Sequence, residues 1–178
     1  GSTWNQYLAQ QGYIVFSMDA RGMSGRGEEF KNLSYGDMAK YLSSDTAAGV
    51  RHLIDSGIAD PDRIGAWGWS GGGYFTGLML TKNADLFDVG VSVAPVMDFR
   101  LYDTIYTERS MGLPQDNKAG YDSTSVLTYV DRFKGKLLVM HGTGDDNVHS
   151  QNMTWLIEEF VKHDKQLDVF FYPNRPHG

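Results

Sequence analysis

The sequence predicts an α/β fold, a mostly parallel sheet flanked by helices. Three observations carry this. Short apolar runs recur along the chain, segments with helical spacing separate most of them, and turn residues bound the runs. Residues 4–11 read as the end of a helix, with Trp4, Leu8 and Gln11 on one face, and Gly12 breaks it. Residues 13–18 (Tyr-Ile-Val-Phe-Ser-Met) are β-rich and apolar, as expected of a first buried strand. The polar, glycine-rich residues 19–27 read as loop. Residues 45–54 have helical spacing, Ser56-Gly57 ends that helix, and Asp60-Pro61 turns the chain. A second strand is expected over 63–68, a helix over 72–80, and a third strand over 89–93 closed by Ala94-Pro95. A fourth strand falls at 136–140. Residues 152–161 form an amphipathic helix, with Met153, Leu156, Ile157, Phe160 and Val161 at i, i+3, i+4, i+7 and i+8. A fifth strand covers 167–172.

Composition narrows the function. A chain of 178 residues supports one domain with a sizeable core, and no repeat or linker-like stretch divides it. Sixteen basic and 22 acidic residues give a net charge of −6, which disfavours a nucleic-acid partner. The absence of cysteine excludes disulfides, thiol catalysis and Cys-based zinc sites. No apolar run approaches the ~20 residues of a membrane-spanning helix.

In open α/β sheets ligands bind beyond the carboxyl ends of the strands, so chemistry is sought there. After the second strand comes Gly68-Trp69-Ser70-Gly71-Gly72-Gly73. This holds Gly-x-Ser-x-Gly between an expected strand and an expected helix, the context of a nucleophile elbow. The tight turn lifts the Ser70 hydroxyl above the sheet at a helix N-terminus, and the Gly71 N–H is a candidate oxyanion-hole donor. The plain alternative is a glycine-rich turn with an idle serine; the strand before and helix after argue against it.

A serine needs a base, and the base needs a carboxylate to orient it. The expected order is Ser, then Asp or Glu, then His. Asp145 follows the fourth strand and His177 the fifth. Asp146 reads as a solvated or capping neighbour. His52 and His163 fall in expected helices, His141 reads as a structural hydrogen-bonding histidine, and His149 lies just past the acid loop. Only His177 follows the last strand. No His-Glu-x-x-His occurs, and Asp145-Asp146-Asn147 lacks the glycine and glutamate of a calcium loop. The fold class is therefore an α/β-hydrolase, with chemistry that uses no metal or organic cofactor.

Further stretches carry a resemblance. Gly68-Trp69-Ser70, Ala94-Pro95-Val96, Tyr102-Asp103, Tyr106-Thr107-Glu108-Arg109-x-Met111-Gly112-Leu113-Pro114 and His141-Gly142-Thr143-x-Asp145-Asp146-Asn147-Val148-His149 together resemble the catalytic domain of the prolyl oligopeptidase family of serine peptidases, in its dipeptidyl-peptidase branch. The similarity runs across nearly the whole chain. It implies that Ser70, Asp145 and His177 match the triad. It implies that Tyr102 and Tyr106 line a pocket for a proline side chain, that Val96, Phe99 and Val148 wall it, and that Asn147 hydrogen-bonds a substrate carbonyl. The implied substrates are peptides with proline or alanine second from the amino end, and a homodimer is the family expectation for the full-length protein.

Two positions depart from the family pattern: Gly71 stands where a tyrosine is usual, and Phe99 where a tryptophan is common. Both changes imply a wider pocket. The family's β-propeller, the first strands of its sheet and its second oxyanion donor map upstream of Gly1, and its final helix maps beyond Gly178. The expectation is a hydrolase domain truncated at both ends, feeble by itself. Other readings on the same fold are an acylaminoacyl or tripeptidyl peptidase, an esterase, or a non-catalytic scaffold.

Overall fold

The structure, a computed structural model, describes residues 2–178. Four strands, β1 (Gly65–Trp69), β2 (Val89–Val93), β3 (Lys136–Gly142) and β4 (Asp168–Tyr172), form one sheet in the order β1-β2-β3-β4. Every neighbouring pair is parallel, with Trp69 beside Val93, Val93 beside Met140, and Gly142 beside Tyr172. Parallel neighbours require crossovers, and the chain supplies three. Helix α4 (Gly71–Lys82) joins β1 to β2, and α7 (Gln151–Lys162) joins β3 to β4. The longest connection, from β2 to β3, holds α5 (Thr104–Met111), α6 (Lys118–Thr124) and 3₁₀ segments at Phe99–Leu101 and Val126–Arg132. Ahead of the sheet lie α1 (Thr3–Gln10), α2 (Glu28–Asn32) and α3 (Lys40–Asp55).

The core sits on one face of the sheet. Leu137 and Val139 point into it from β3, and Leu78, Met79, Met153, Leu156 and Phe160 cover them from α4 and α7. Burying each such side chain contributes roughly 1.5–3 kcal/mol. Alternation along β1 turns Trp67 to the opposite face, where it meets Trp4 of α1 edge-on at 5.9 Å. Helices therefore lie on both faces, although Trp69, Val89, Phe170 and Tyr172 on that second side stay exposed.

The run at 13–18 departs from expectation and forms no strand. Tyr13, Ile14 and Phe16 are exposed, and β1 pairs only with β2 among the described residues. A strand exists only where a neighbouring backbone takes up its N–H and C=O groups, and an apolar pattern does not say whether that neighbour is there. The helix expected over 45–54 starts earlier, at Lys40, because Asp37 Oδ1 accepts from the N–H groups of Ala39 and Lys40, each at 3.0 Å.

Candidate active site

The carboxyl ends of the strands bring the chemistry-bearing residues together. Ser70 stands alone between the last residue of β1 and the first of α4. Its backbone has φ 56° and ψ −114°, a conformation that costs a non-glycine residue ~1–3 kcal/mol unless its surroundings enforce it. Two hydrogen bonds enforce it. The Ser70 N–H donates to the Val93 carbonyl at 2.8 Å, and the Tyr74 N–H donates to the Ser70 carbonyl at 2.9 Å. The turn is tight enough that a Cβ on Gly68 would lie 2.3 Å from the Gly72 backbone, so a side chain there is excluded. Gly71 opens α4, and its N–H belongs to the first helical turn, which has no intrahelical acceptor.

Asp145 lies in the loop after β3 and is buried. Its Oδ1 accepts from the N–H groups of Asn147 at 3.0 Å and Val148 at 2.8 Å. Its Oδ2 lies 2.8 Å from Nδ1 of the half-buried His177. Burial is the largest single influence on the Asp145 carboxyl and opposes its ionisation. The hydrogen bonds from His177, Val148 and Asn147 outweigh it and hold the group below the ordinary carboxylate range. His141, also buried, places Nε2 2.8 Å from the Val148 carbonyl and 3.2 Å from Asp145 Oδ2. Both neighbours are acceptors, so Nε2 carries the proton.

The loops that bear Asp145 and His177 interlock through the main chain. The Thr143 N–H donates to the Tyr172 carbonyl at 3.0 Å and the Gly144 N–H to the Arg175 carbonyl at 3.1 Å. The Asn174 N–H reaches Thr143 Oγ1 at 2.9 Å. Any Cβ on Gly142 would meet the Arg175 carbonyl oxygen at 2.2 Å.

No hydrogen bond joins Ser70 Oγ to His177 Nε2 among the described residues; in ligand-free sites such contacts are often long and tighten with substrate. The elbow and the histidine are tied instead through Trp69, whose indole N–H donates to the His177 carbonyl at 3.0 Å. Of the other candidates, Asp146 is exposed, His52 lies exposed on α3, and His163 ends α7. The ring of His149 accepts at Nδ1 from the Gln151 N–H, which occupies it at the start of α7.

An aromatic cluster flanks the elbow. The Phe99 ring stacks on Tyr106 at 6.3 Å, Tyr102 meets Tyr106 edge-on at 5.5 Å, and Tyr74 backs Phe99 edge-on at 4.9 Å. Val96 and Phe99 are buried in the loop after β2, and Val148 in the loop after β3. The Tyr102 hydroxyl donates to Asn147 Oδ1 at 2.8 Å, and the Asn147 amide nitrogen donates to no partner among the described residues. Burial first, then the charge of Asp103, raises the Tyr102 phenol above its usual range and keeps it a donor.

Two further residues, Asp103 and Trp69, support the site. Asp103 caps α5 by accepting from the Tyr106 N–H at 2.7 Å, and so orients the turn that carries Tyr106. An aspartate directly before a helical stretch is a legible signal for this. Trp69 occupies a position that the serine motif leaves open, and nothing in its spacing points to His177.

A parallel sheet with a strained serine at a strand–helix turn, and a carboxylate–imidazole pair at the ends of later strands, is the arrangement of the α/β-hydrolase class. Residues 2–178 match the prolyl oligopeptidase family, and the chain belongs to it. Among relatives, the mouse (Mus musculus) protein named prolyl endopeptidase FAP is 36% identical over 179 residues, covering 98% of this chain and 24% of that protein. Among solved structures, Porphyromonas gingivalis dipeptidyl peptidase 4 superposes with a TM-score of 0.94 at 38% identity, covering 99% of this chain and 25% of that one. The chain thus spans about a fifth to a quarter of the length of the relatives it matches.

Proposed function

We propose that this chain carries the catalytic centre of a serine dipeptidyl peptidase that releases amino-terminal dipeptides ending in proline or alanine. The observation that carries the reading is the strained Ser70 backbone, φ 56° and ψ −114°, at the same end of the sheet as the 2.8 Å Asp145–His177 pair. Ser70 Oγ attacks the carbonyl of the second residue while His177 Nε2 takes its proton. The oxyanion forms against the Gly71 N–H at the start of α4. His177 then gives the proton to the departing amine, and the dipeptide remains as an ester on Ser70. Water, activated by the same imidazole, attacks the ester and releases the dipeptide. Asp145 fixes the His177 tautomer, with its proton on Nδ1, and stabilises the imidazolium.

The aromatic cluster supports the substrate preference. A compact, saturated ring gains affinity from apolar contact with the exposed Tyr106 ring, which the buried Phe99, Val96 and Val148 back. Asn147, held by Tyr102, offers its amide to a substrate carbonyl. The match to a dipeptidyl peptidase structure supports the two-residue product. The test is to label the full-length protein with a fluorophosphonate and to measure release of Gly-Pro and Gly-Ala from chromogenic amides. Labelling lost in Ser70→Ala together with Gly-Pro release is the expected result. Labelling without any dipeptide release, or preference for a blocked amino end, points to an esterase or acylaminoacyl peptidase instead.

A further inference from the structure

The residues of the pocket proposed above come from two loops that leave different strands. Val96, Phe99, Tyr102 and Tyr106 follow β2, whereas Asn147 and Val148 follow β3. Its width is therefore set by whatever joins the loops. One side-chain link between the loops, from Tyr102 to Asn147, is exposed. A second is completely buried. Asn152, in the first turn of α7, accepts at Oδ1 from the backbone N–H groups of Met97 at 2.8 Å and Asp98 at 3.3 Å. Its Nδ2 donates to the His149 carbonyl at 3.1 Å. One amide thus grips the residues next to Val96 and Phe99 on one side and the residue next to Val148 on the other.

We propose that Asn152 is a specificity-positioning residue: its buried amide fixes the separation of Val96 and Phe99 from Val148, and so the fit of the pocket to a proline ring. The inference rests on the pocket reading given above. The N–H groups of Met97 and Asp98 have no other hydrogen-bond partner among the described residues. Removing Oδ1 leaves both unsatisfied in a buried site, and the loop must shift to recover acceptors. Val96 and Phe99 shift with it. A gap of less than an ångström forfeits much of the dispersion contact to a ring that touches several walls. A methyl group touches fewer walls and loses less. The ratio of proline to alanine turnover is therefore the quantity that Asn152 controls.

The test compares Asn152→Leu, which removes donor and acceptor, with Asn152→Asp, which keeps an acceptor for Met97 and Asp98. Each is made in the full-length protein, active sites are counted by fluorophosphonate titration, and kcat and KM are measured for Gly-Pro and Gly-Ala amides. Asn152→Leu is expected to lower the proline-to-alanine ratio of kcat/KM by about tenfold, mainly through the KM for proline, with a smaller fall in Asn152→Asp. A merely structural role would reduce the titratable fraction and leave the ratio per labelled site unchanged; that outcome overturns the proposal. An equal fall in both variants also overturns it, because the acceptor would then not be the cause. Should Asn152→Leu yield no labelled enzyme, Asn152→Ser, whose hydroxyl is too short to span both loops, is read by the same ratio. If the unmodified protein labels at Ser70 but cleaves neither amide, the dipeptidyl-peptidase reading falls, and this inference with it.

Discussion

The indole N–H of Trp69 donates to the main-chain carbonyl of His177 at 3.0 Å, so the residue before the candidate nucleophile holds the loop of the candidate base. Trp69→Phe keeps the aromatic bulk and deletes this bond. A neutral hydrogen bond of this kind is worth ~1 kcal/mol, or roughly fivefold in rate if the loss falls on the transition state. Steady-state kinetics of the full-length variant are expected to show a fall in kcat of that order with KM nearly constant. An unchanged kcat would mean that the loop keeps its place without Trp69.

Asp145→Asn preserves shape but removes the charge that favours the His177 imidazolium. Turnover is expected to drop by about 10⁴, the scale seen when a triad carboxylate becomes an amide. Fluorophosphonate labelling should slow in parallel. A drop of less than tenfold would indicate that another group orients His177.

The depressed Asp145 carboxyl also has a consequence for stability. Its folded value lies below the value in the unfolded chain, about 3.9 for an aspartate. The unfolded state therefore binds more protons in the window between the two values, and stability rises with pH there. The contribution is fully present above the unfolded value and disappears as pH falls through the folded one. Urea denaturation from about pH 6 down to pH 3 is expected to show a flatter acid limb for Asp145→Asn than for the unmodified protein. Identical slopes would show that Asp145 is not responsible.

Asp103 offers a test of how α5 presents Tyr106. Asp103→Ala deletes an N-cap and should destabilise by ~1 kcal/mol. If Tyr106 lines the pocket, the KM for proline substrates rises as well. Thermal unfolding and kinetics, read together, separate the two effects: lower stability with unchanged KM would remove Tyr106 from the pocket.

The glycines around Ser70 should respond oppositely to substitution. A Cβ on Gly71 meets nothing within 4 Å, whereas one on Gly68 collides with the Gly72 backbone at 2.3 Å. Gly71→Tyr is expected to fold normally and to sharpen the preference for proline over alanine by narrowing the pocket. Gly68→Ala should cost ~3 kcal/mol or more and abolish labelling of Ser70. Circular dichroism and probe labelling of both variants provide the comparison.

Much of the site could be read in the sequence because its parts are local. Gly68-Trp69-Ser70-x-Gly72 specifies its own turn, and the strand-end positions of Asp145 and His177 follow from two apolar runs. The four observed strands are legible for the same reason. What escaped was non-local. Whether residues 13–18 pair depends on a neighbour that their own pattern does not describe. Helices α2, α5 and α6 are short, and α5 and α6 start at Asx caps, at Asp103 and Asn117, rather than declaring themselves by long apolar periodicity. The hydrogen bond from Trp69 to His177 spans 108 residues, and no spacing rule reaches that far. The close approach of His141 to Asp145 is likewise hidden, because a histidine at a strand end does not declare which atoms it faces.

The interlock between the β3 and β4 loops bears on how such an enzyme can change. Two of its hydrogen bonds are donated and accepted by backbone alone, and Gly142 contributes to it by having no side chain. Asn174, Arg175 and Pro176 are exposed around it. Their side chains can be exchanged, by drift or by a protein engineer, without altering the 2.8 Å between Asp145 and His177. The rim of the site is thereby left open to variation while the spacing of carboxylate and imidazole is inherited with the chain path itself.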